Sequence, residues 1–474
     1  MASRNAPPNI LFLFTDQQRP DWLGSNPDVP VETPTLDRIA ERGVRFTDAI
    51  CPSPVCNPSR ASIASGYEYD RCGVPGNSVD FDPQARQPLA RRLRDDGGYH
   101  TMGCGKFDLT TEFPFGRDGD PENDAWGYDD AVFNPAKINT VWRIRDDPDG
   151  TPRDPYTIYL DEQGWLDVHV DDYLDRHEQG WWTATDPTPL PDETYYDNWI
   201  TRQGLKLIEN SPADEPWFLQ VNFQNPHHPW DITEEMHDRY RSPDVSFPSP
   251  EHSGLDISEE THQEVRRNYA SMVDHLDESV GRFIDCLRER DELDNTLVVV
   301  SSDHGEMLGD YGQWQKLSPL QMSIGVPLIA AGAGVTAQPP RDEPTTILDL
   351  HDTFLDVAGV SQLPATDSRT LLPALADEAS YSPRDVVYSG LGPWRLVYDG
   401  RYKLIEGYDP VKRRGGEYES MIVDPVEARR LQYDRDRLLF DVTENEHHDL
   451  AADHLGVVER LHEELVRIRD REPE

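Results

Sequence analysis

Short, mostly apolar runs stand far apart in this chain, at residues 10–14, 218–223, 297–301 and 326–330. Runs of that length without clear alternation suit strands buried on both faces, because neither face then calls for polar residues. Between them lie helix-like stretches, notably 88–96 and the long 259–290. The pattern predicts an α/β fold: a large mixed, mostly parallel sheet flanked by helices. Residues 134–196 break the pattern. They are rich in Trp, Asp, Tyr and Pro with weak periodicity, and predict an inserted set of loops and short hairpins over one end of the sheet. Their aromatic residues read equally as substrate-facing or as pins for a loop. From about residue 380 the pattern changes again. Residues 395–398 and 402–405, joined by Asp399-Gly400-Arg401, predict a hairpin. Residues 438–442 predict another strand, and 457–468 an amphipathic helix. The expected organisation is a catalytic α/β domain over 1–379 and a small C-terminal α+β subdomain over 380–474.

At 474 residues the chain exceeds what one compact core usually supports. Lys and Arg total 45 against 89 Asp and Glu, a net charge of -44. The acid excess is spread along the whole chain and forms no tail. It points to a halophilic protein whose hydrated carboxylates face concentrated salt, ahead of a protein that binds a basic partner. It weighs against nucleic acid, whose phosphates would be repelled. Five cysteines, an odd number without zinc spacing, give no disulfide framework. No apolar run is long enough to span a membrane, and the first strand follows a short polar N-terminus at once. A cytoplasmic location is expected.

The segment Cys51-Pro-Ser-Pro-Val-Cys56-Asn-Pro-Ser-Arg60-Ala-Ser-Ile-Ala-Ser-Gly66 carries the chemistry. Pro58 just inside a helix start and Gly66 past its end place Cys56 at a helix N-terminus. Free N–H groups there favour an anion, and Arg60 lies one turn along. The first strand runs into Thr15-Asp16-Gln17, and the third into Asp303-His304-Gly305-Glu306. Oxygen-bearing side chains at strand ends suit Ca²⁺ or Mg²⁺. Asn222-Phe-Gln-Asn-Pro226-His227-His228-Pro229 follows the second strand. Gly105-Lys106-Phe-Asp108 and Trp314-Gln-Lys316 complete the set.

These motifs resemble, in order, those of the type I, formylglycine-dependent sulfatases of the alkaline phosphatase superfamily. The likeness extends over residues 9–359, with the helical segments at 269–277 and 348–355 and the closing segment 440–451 similar as well. The resemblance implies that Cys56 is oxidised to formylglycine by a separate formylglycine-generating enzyme. It implies a divalent cation, Ca²⁺ first with Mg²⁺ or Mn²⁺ as alternatives, held by Asp16, Gln17, Asp303, His304 and the modified Cys56. It implies that Arg60, Lys106 and Lys316 bind sulfate. His227 would protonate the departing alcohol, with His228 as the alternative. The chain departs from the family at Gln17, where an aspartate is common, at His304, where Asn is frequent, and at Asp108, where the family has His. Asp108 is read as the base for sulfate elimination; this Gly-Lys-x-Asp variant is similar to the arylsulfatase K type, which acts on a sulfated uronic acid. The expected substrate is a sulfated small molecule or carbohydrate. A phosphonate or phosphate ester hydrolase, and a non-catalytic anion-binding protein with unmodified Cys56, remain as alternatives.

Overall fold

Strand β1 (Asn9–Thr15) is buried along its whole length. Its side chains alternate: Ile10, Phe12 and Phe14 enter one apolar cluster, Leu11 and Leu13 a second on the opposite face. It is the middle strand of a seven-stranded sheet, ordered β2 (Val44–Phe46), β8 (Leu328–Gly332), β7 (Thr296–Ser302), β1, β6 (Trp217–Asn222), β4 (His100–Lys106), β5 (Asp130–Asn134). The five strands from β7 to β5 run parallel, β8 runs against β7, and β2 against β8. Short strands β3 (Ala49–Ile50) and β9 (Thr345–Thr346) pair separately. The sheet is thus mixed and mostly parallel, and all four predicted core strands lie in it. The structure, a computed structural model, describes residues 7–110, 124–147, 149–251, 257–363, 365–408, 437–444 and 446–471.

The helix Glu259–Glu289 covers one face. Ser258 caps it by accepting the Thr261 N–H, and Glu259 and Glu260 sit in its first turn. Buried Leu276, Val280, Phe283 and Leu287 recur at three- and four-residue steps and meet Leu11 and Leu13. On the other face the helix Leu350–Val357 brings Phe354 against Phe12 and Phe218. Four antiparallel strands, β10 (Val387–Leu391), β11 (Trp394–Tyr398), β12 (Tyr402–Glu406) and β13 (Arg437–Asp441), form a C-terminal sheet. Alternation divides it too: Leu396, Ile405 and Phe440 join the main core, while Val397, Leu404 and Leu439 pack under the helix Leu455–Arg469. Among the described residues no helix is long and apolar enough to cross a membrane.

One expectation needs correction, and one strand was not foreseen. Residues 134–196 do not form loops and hairpins; they hold the helices Lys137–Asp146, Pro155–Gln163 and Leu166–Gln179. Their apolar periodicity is weak because they bury polar and aromatic groups against each other. Tyr173 donates to Asp231, which also pairs with Lys137, and Trp142 meets His177 and Trp181 edge-on. Most of these aromatics are therefore packing groups. Strand β4 also escaped the apolar pattern, because Gly103 and Gly105 interrupt it. At Gly105, with φ +89°, a Cβ would lie 2.0 Å from the Asn222 carbonyl oxygen. At Gly103 it would lie 2.5 Å from the Phe107 ring.

Candidate active site

Parallel strands bring their carboxyl ends to one edge, and the chemical residues gather there. Asp16 follows β1, Lys106 ends β4, His227 follows β6 and Asp303 follows β7. The helix Cys56–Ser65 points its N-terminus at this edge. Extended Val55 precedes it, and Gly66 ends it in the left-handed conformation with φ 76°. Pro58 is tolerated at the third position because first-turn N–H groups have no intrahelical acceptor. No acidic side chain stands in that turn to offset its positive end. Ser59 Oγ donates to the Asp303 carbonyl at 2.6 Å, and Arg60 Nε to Asp303 Oδ2 at 2.9 Å. Arg60 Nη1 donates to the Lys106 carbonyl and to Asn222 Oδ1 at 2.8 and 3.0 Å. Its Nη2 is buried without a hydrogen-bond partner among the described residues.

Cys56 Sγ lies 3.2 Å from His304 Nε2, 3.4 Å from Lys106 Nζ and 4.0 Å from Asp16 Oδ1. Burial pushes its thiol up to about 11 against the pull of Lys106 and Lys316. Asp16, Cys56, Asp303 and His304, all buried, offer ligand atoms within 4.8 Å of one another. Burial and the neighbouring Asp303 lift Asp16 to about 6, although Lys106 pairs with it. Burial also works against the charge of Asp303, but His304, Arg60 and the lysines outweigh it and hold that carboxyl below its usual range. Burial depresses His304 to about 3, leaving its imidazole neutral and able to donate a lone pair. Two buried carboxylates held together with a neutral imidazole fit a divalent cation, which would relieve their repulsion.

Gln17 adjoins this cluster with φ 69°; its backbone N–H donates to Asp303 Oδ1 at 3.1 Å. Its side-chain oxygen accepts from Lys316 Nζ at 2.7 Å, and its amide nitrogen donates to Glu306. Lys316 Nζ also lies 2.9 Å from His227 Nε2. His227 Nδ1 is 2.5 Å from the His228 carbonyl, which can only accept, so the proton of a neutral ring sits on Nδ1 and Nε2 accepts from Lys316. His228 faces Gln315 Nε2 at 3.0 Å and Gln17 Nε2 at 3.4 Å, and lies against Trp182. Asp108, with φ 49°, has Oδ2 3.2 Å from Lys106 Nζ.

Every residue singled out in the sequence therefore joins one connected network. Others were not foreseen. Glu306 accepts the N–H groups of Leu308 and Gln315 as well as the Gln17 amide, so it fixes the turn that carries Lys316. Gln224 Nε2 donates to Asp16 Oδ2 at 3.1 Å. Both lie within the quoted motifs, but neutral or single acidic residues there carry no spacing signal.

A large, mostly parallel sheet flanked by helices, with this network at one edge, gives the chain an alkaline phosphatase-like class of fold. Solved structures agree: the phosphonate monoester hydrolase of Agrobacterium radiobacter superposes with TM-score 0.73 at 21% identity, covering 98% of this chain and 95% of that one. A protein solved with its substrate D-glucosamine-2-N,6-O-disulfate gives 0.71 at 19%, covering 98% and 99%. Within that class the chain belongs to the sulfatase family, the sulfuric ester hydrolases, whose model matches residues 8–360. It is similar to the choline-sulfatase of Rhizobium meliloti, 29% identical over 82% of this chain and 78% of the relative. It is also similar to the arylsulfatase of Clostridium perfringens, 26% identical over 90% of each.

Proposed function

We propose that this protein hydrolyses the sulfate ester of a carbohydrate in the cytoplasm, using formylglycine made from Cys56 by a formylglycine-generating enzyme. Asp16, Gln17, Asp303, His304 and the modified residue would hold a divalent cation, Ca²⁺ ahead of Mg²⁺ or Mn²⁺. The observation that carries this reading is the placement of Cys56. It sits at the open end of a buried helix, beside Lys106 and the two clustered carboxylates. When bound, the cation supplies Lewis acidity, and the hydrated aldehyde supplies the attacking oxygen. Arg60, Lys106 and Lys316 converge from three elements, so their charge meets the sulfate oxygens without reorganisation. His227 and Lys316 share a hydrogen bond and together hold the proton passed from Nε2 to the leaving oxygen. Asp108, beside Lys106, takes the proton that must leave before sulfate is expelled.

Mass analysis of the Cys56 peptide from protein made with its maturation enzyme tests the reading. The expected peptide carries an aldehyde in place of the thiol. A fully thiol peptide in a preparation with full sulfatase activity would sink the mechanism. A second reading, phosphonate or phosphate ester hydrolysis, draws on neutral Gln17 and His304 in place of the acid and amide usual in sulfatases. Rates on sulfate and phosphate esters of one leaving group separate the two.

A further inference from the structure

Under the helix Glu259–Glu289 lies a cavity of about 480 Å³. That volume falls within the roughly 300–1,000 Å³ of small-molecule sites. Ile39, Val298 and Ala331, all buried, form its apolar floor. Val298 stands on β7 and precedes Asp303 by five residues, roughly 16 Å of extended chain. None of the lining residues belongs to the catalytic network, so the cavity is a separate place in the fold.

Its wall reverses the sign of the chain. Acids outnumber bases by 89 to 45 overall, yet four arginines and three carboxylates line this cavity. The helix Pro34–Glu41 presents Arg38, one turn before Arg42. Glu278, Arg282, Asp285 and Arg288 follow one another at three- and four-residue steps along the helix Glu259–Glu289. Each carboxylate already has an arginine of its own. Glu278 accepts from Arg239 Nη2 at 2.9 Å, Asp285 pairs with Arg288, and Asp294 lies 3.9 Å from Arg42. Arg38 and Arg282 are left over. Arg38 Nη2 donates to Thr35 Oγ1 at 3.1 Å and has no ion pair among the described residues. The Arg282 side chain has neither a hydrogen bond nor an ion pair among them. Burial and the nearby charge of Arg202 hold its guanidinium below the usual range, a cost that an anion would relieve.

Gly281 keeps the space open. It stands inside a helix, where glycine is a weak former, and it lines the cavity. A Cβ there would meet only Thr35, at 3.3 Å from Oγ1, so a longer side chain would grow into the cavity. Among the described residues the exposed large apolar side chains are Val79 and Leu455, neither of them on this wall. The apolar surface is therefore inside the cavity and not spread across a docking face, which favours a small molecule over a protein or a membrane.

We propose that this cavity is a second, non-catalytic binding site for a small amphipathic anion, with its apolar body on Ile39, Val298 and Ala331 and its head, a carboxylate or sulfonate-type group, held by Arg38 and Arg282. Guanidinium forks match either head through paired hydrogen bonds. The assignment does not rest on the sulfatase reading.

The test is calorimetry on the full chain at one KCl concentration that keeps it folded, with octanoate, octanesulfonate, octanol and octyltrimethylammonium as probes. At least one of the two anions is expected to bind one to one, about tenfold or more tighter than octanol, and the tighter anion identifies the head. R38Q/R282Q should weaken that anion about tenfold, toward the affinity of octanol, and R38K/R282K should retain part of the difference. G281L should abolish binding of the anion and of octanol alike. Thermal midpoints show which variants are folded; if G281L is not, R38Q/R282Q decides alone, because both arginines are exposed. Binding of neither anion overturns the proposal, as does octanol or the ammonium ion binding as tightly as the anions. Anion affinity unchanged in R38Q/R282Q, or in folded G281L, places the ligand elsewhere and overturns it too.

Discussion

Asp108 holds a left-handed backbone conformation with its carboxylate against Lys106 at 3.2 Å. If it is the base for sulfate elimination, Asp108→Asn keeps the shape and removes the basicity. The expected result is a burst of alcohol release followed by turnover slowed about a hundredfold or more. Asp108→His should restore part of that turnover with a changed pH profile. Rapid-quench kinetics checks this; slowing of both steps without a burst would show that Asp108 only orients Lys106. A second residue makes a pH prediction. Burial raises Asp197 to about 7, against the pull of Lys137 and the N–H groups of Gln224 and Asn225. A carboxyl raised in the folded state binds a proton that the unfolded chain has lost above about pH 4. Its contribution to stability therefore falls as pH rises from about 4 to 7 and is level beyond. Asp197→Asn removes that dependence. The unfolding midpoint of the variant minus that of wild type should climb over this window, and a flat difference in thermal scans would refute the assignment.

Among the elements, the Cys56 helix and β4 do the most to build the site, and they differ in how plainly the sequence announces them. The helix is punctuated by Pro58 and Gly66, and its start is legible from residue types alone. Strand β4 is not, because two of its seven residues are glycines that admit close neighbours. Gly105→Ala would combine a positive φ with a Cβ 2.0 Å from the Asn222 carbonyl, moving the strand that carries Lys106. It should cost about 2 kcal/mol or more. Gly98→Ala, with φ +68° but no atom within 4 Å, should cost less. Denaturant midpoints of the two variants give the comparison, and equal losses would contradict the crowding described at Gly105. The insertion was misread for a related reason: helices that bury Tyr173 and Lys137 around Asp231 have no simple apolar stripe.

For the whole molecule, the dominant fact is the net charge of -44. Carboxylates crowded on a folded surface repel one another, and salt screens them; the Debye length falls from about 10 Å at 0.1 M to about 3 Å at 1 M. The thermal midpoint is expected to rise from dilute buffer to molar KCl, with activity following. A flat or falling curve in a salt titration would remove the halophilic reading.

The sequence by itself determined the α/β class, the four central core strands, the C-terminal hairpin and the candidate chemical residues. Each of these is written locally, as an apolar run, a turn or a motif at a strand end. Tertiary structure decided what those residues touch. Lys316 meets Gln17 and His227 across hundreds and tens of positions respectively, and Arg60 meets Asp303 across 243. Pairings of that separation follow from strand order, which no local pattern states. The same holds for the second cavity, where Arg38 and Arg282 come from distant segments. Strand β4 and the helical insertion were hidden because their residues answer to neighbours in space, through close backbone approach and buried polar contacts, and not to a period along the chain.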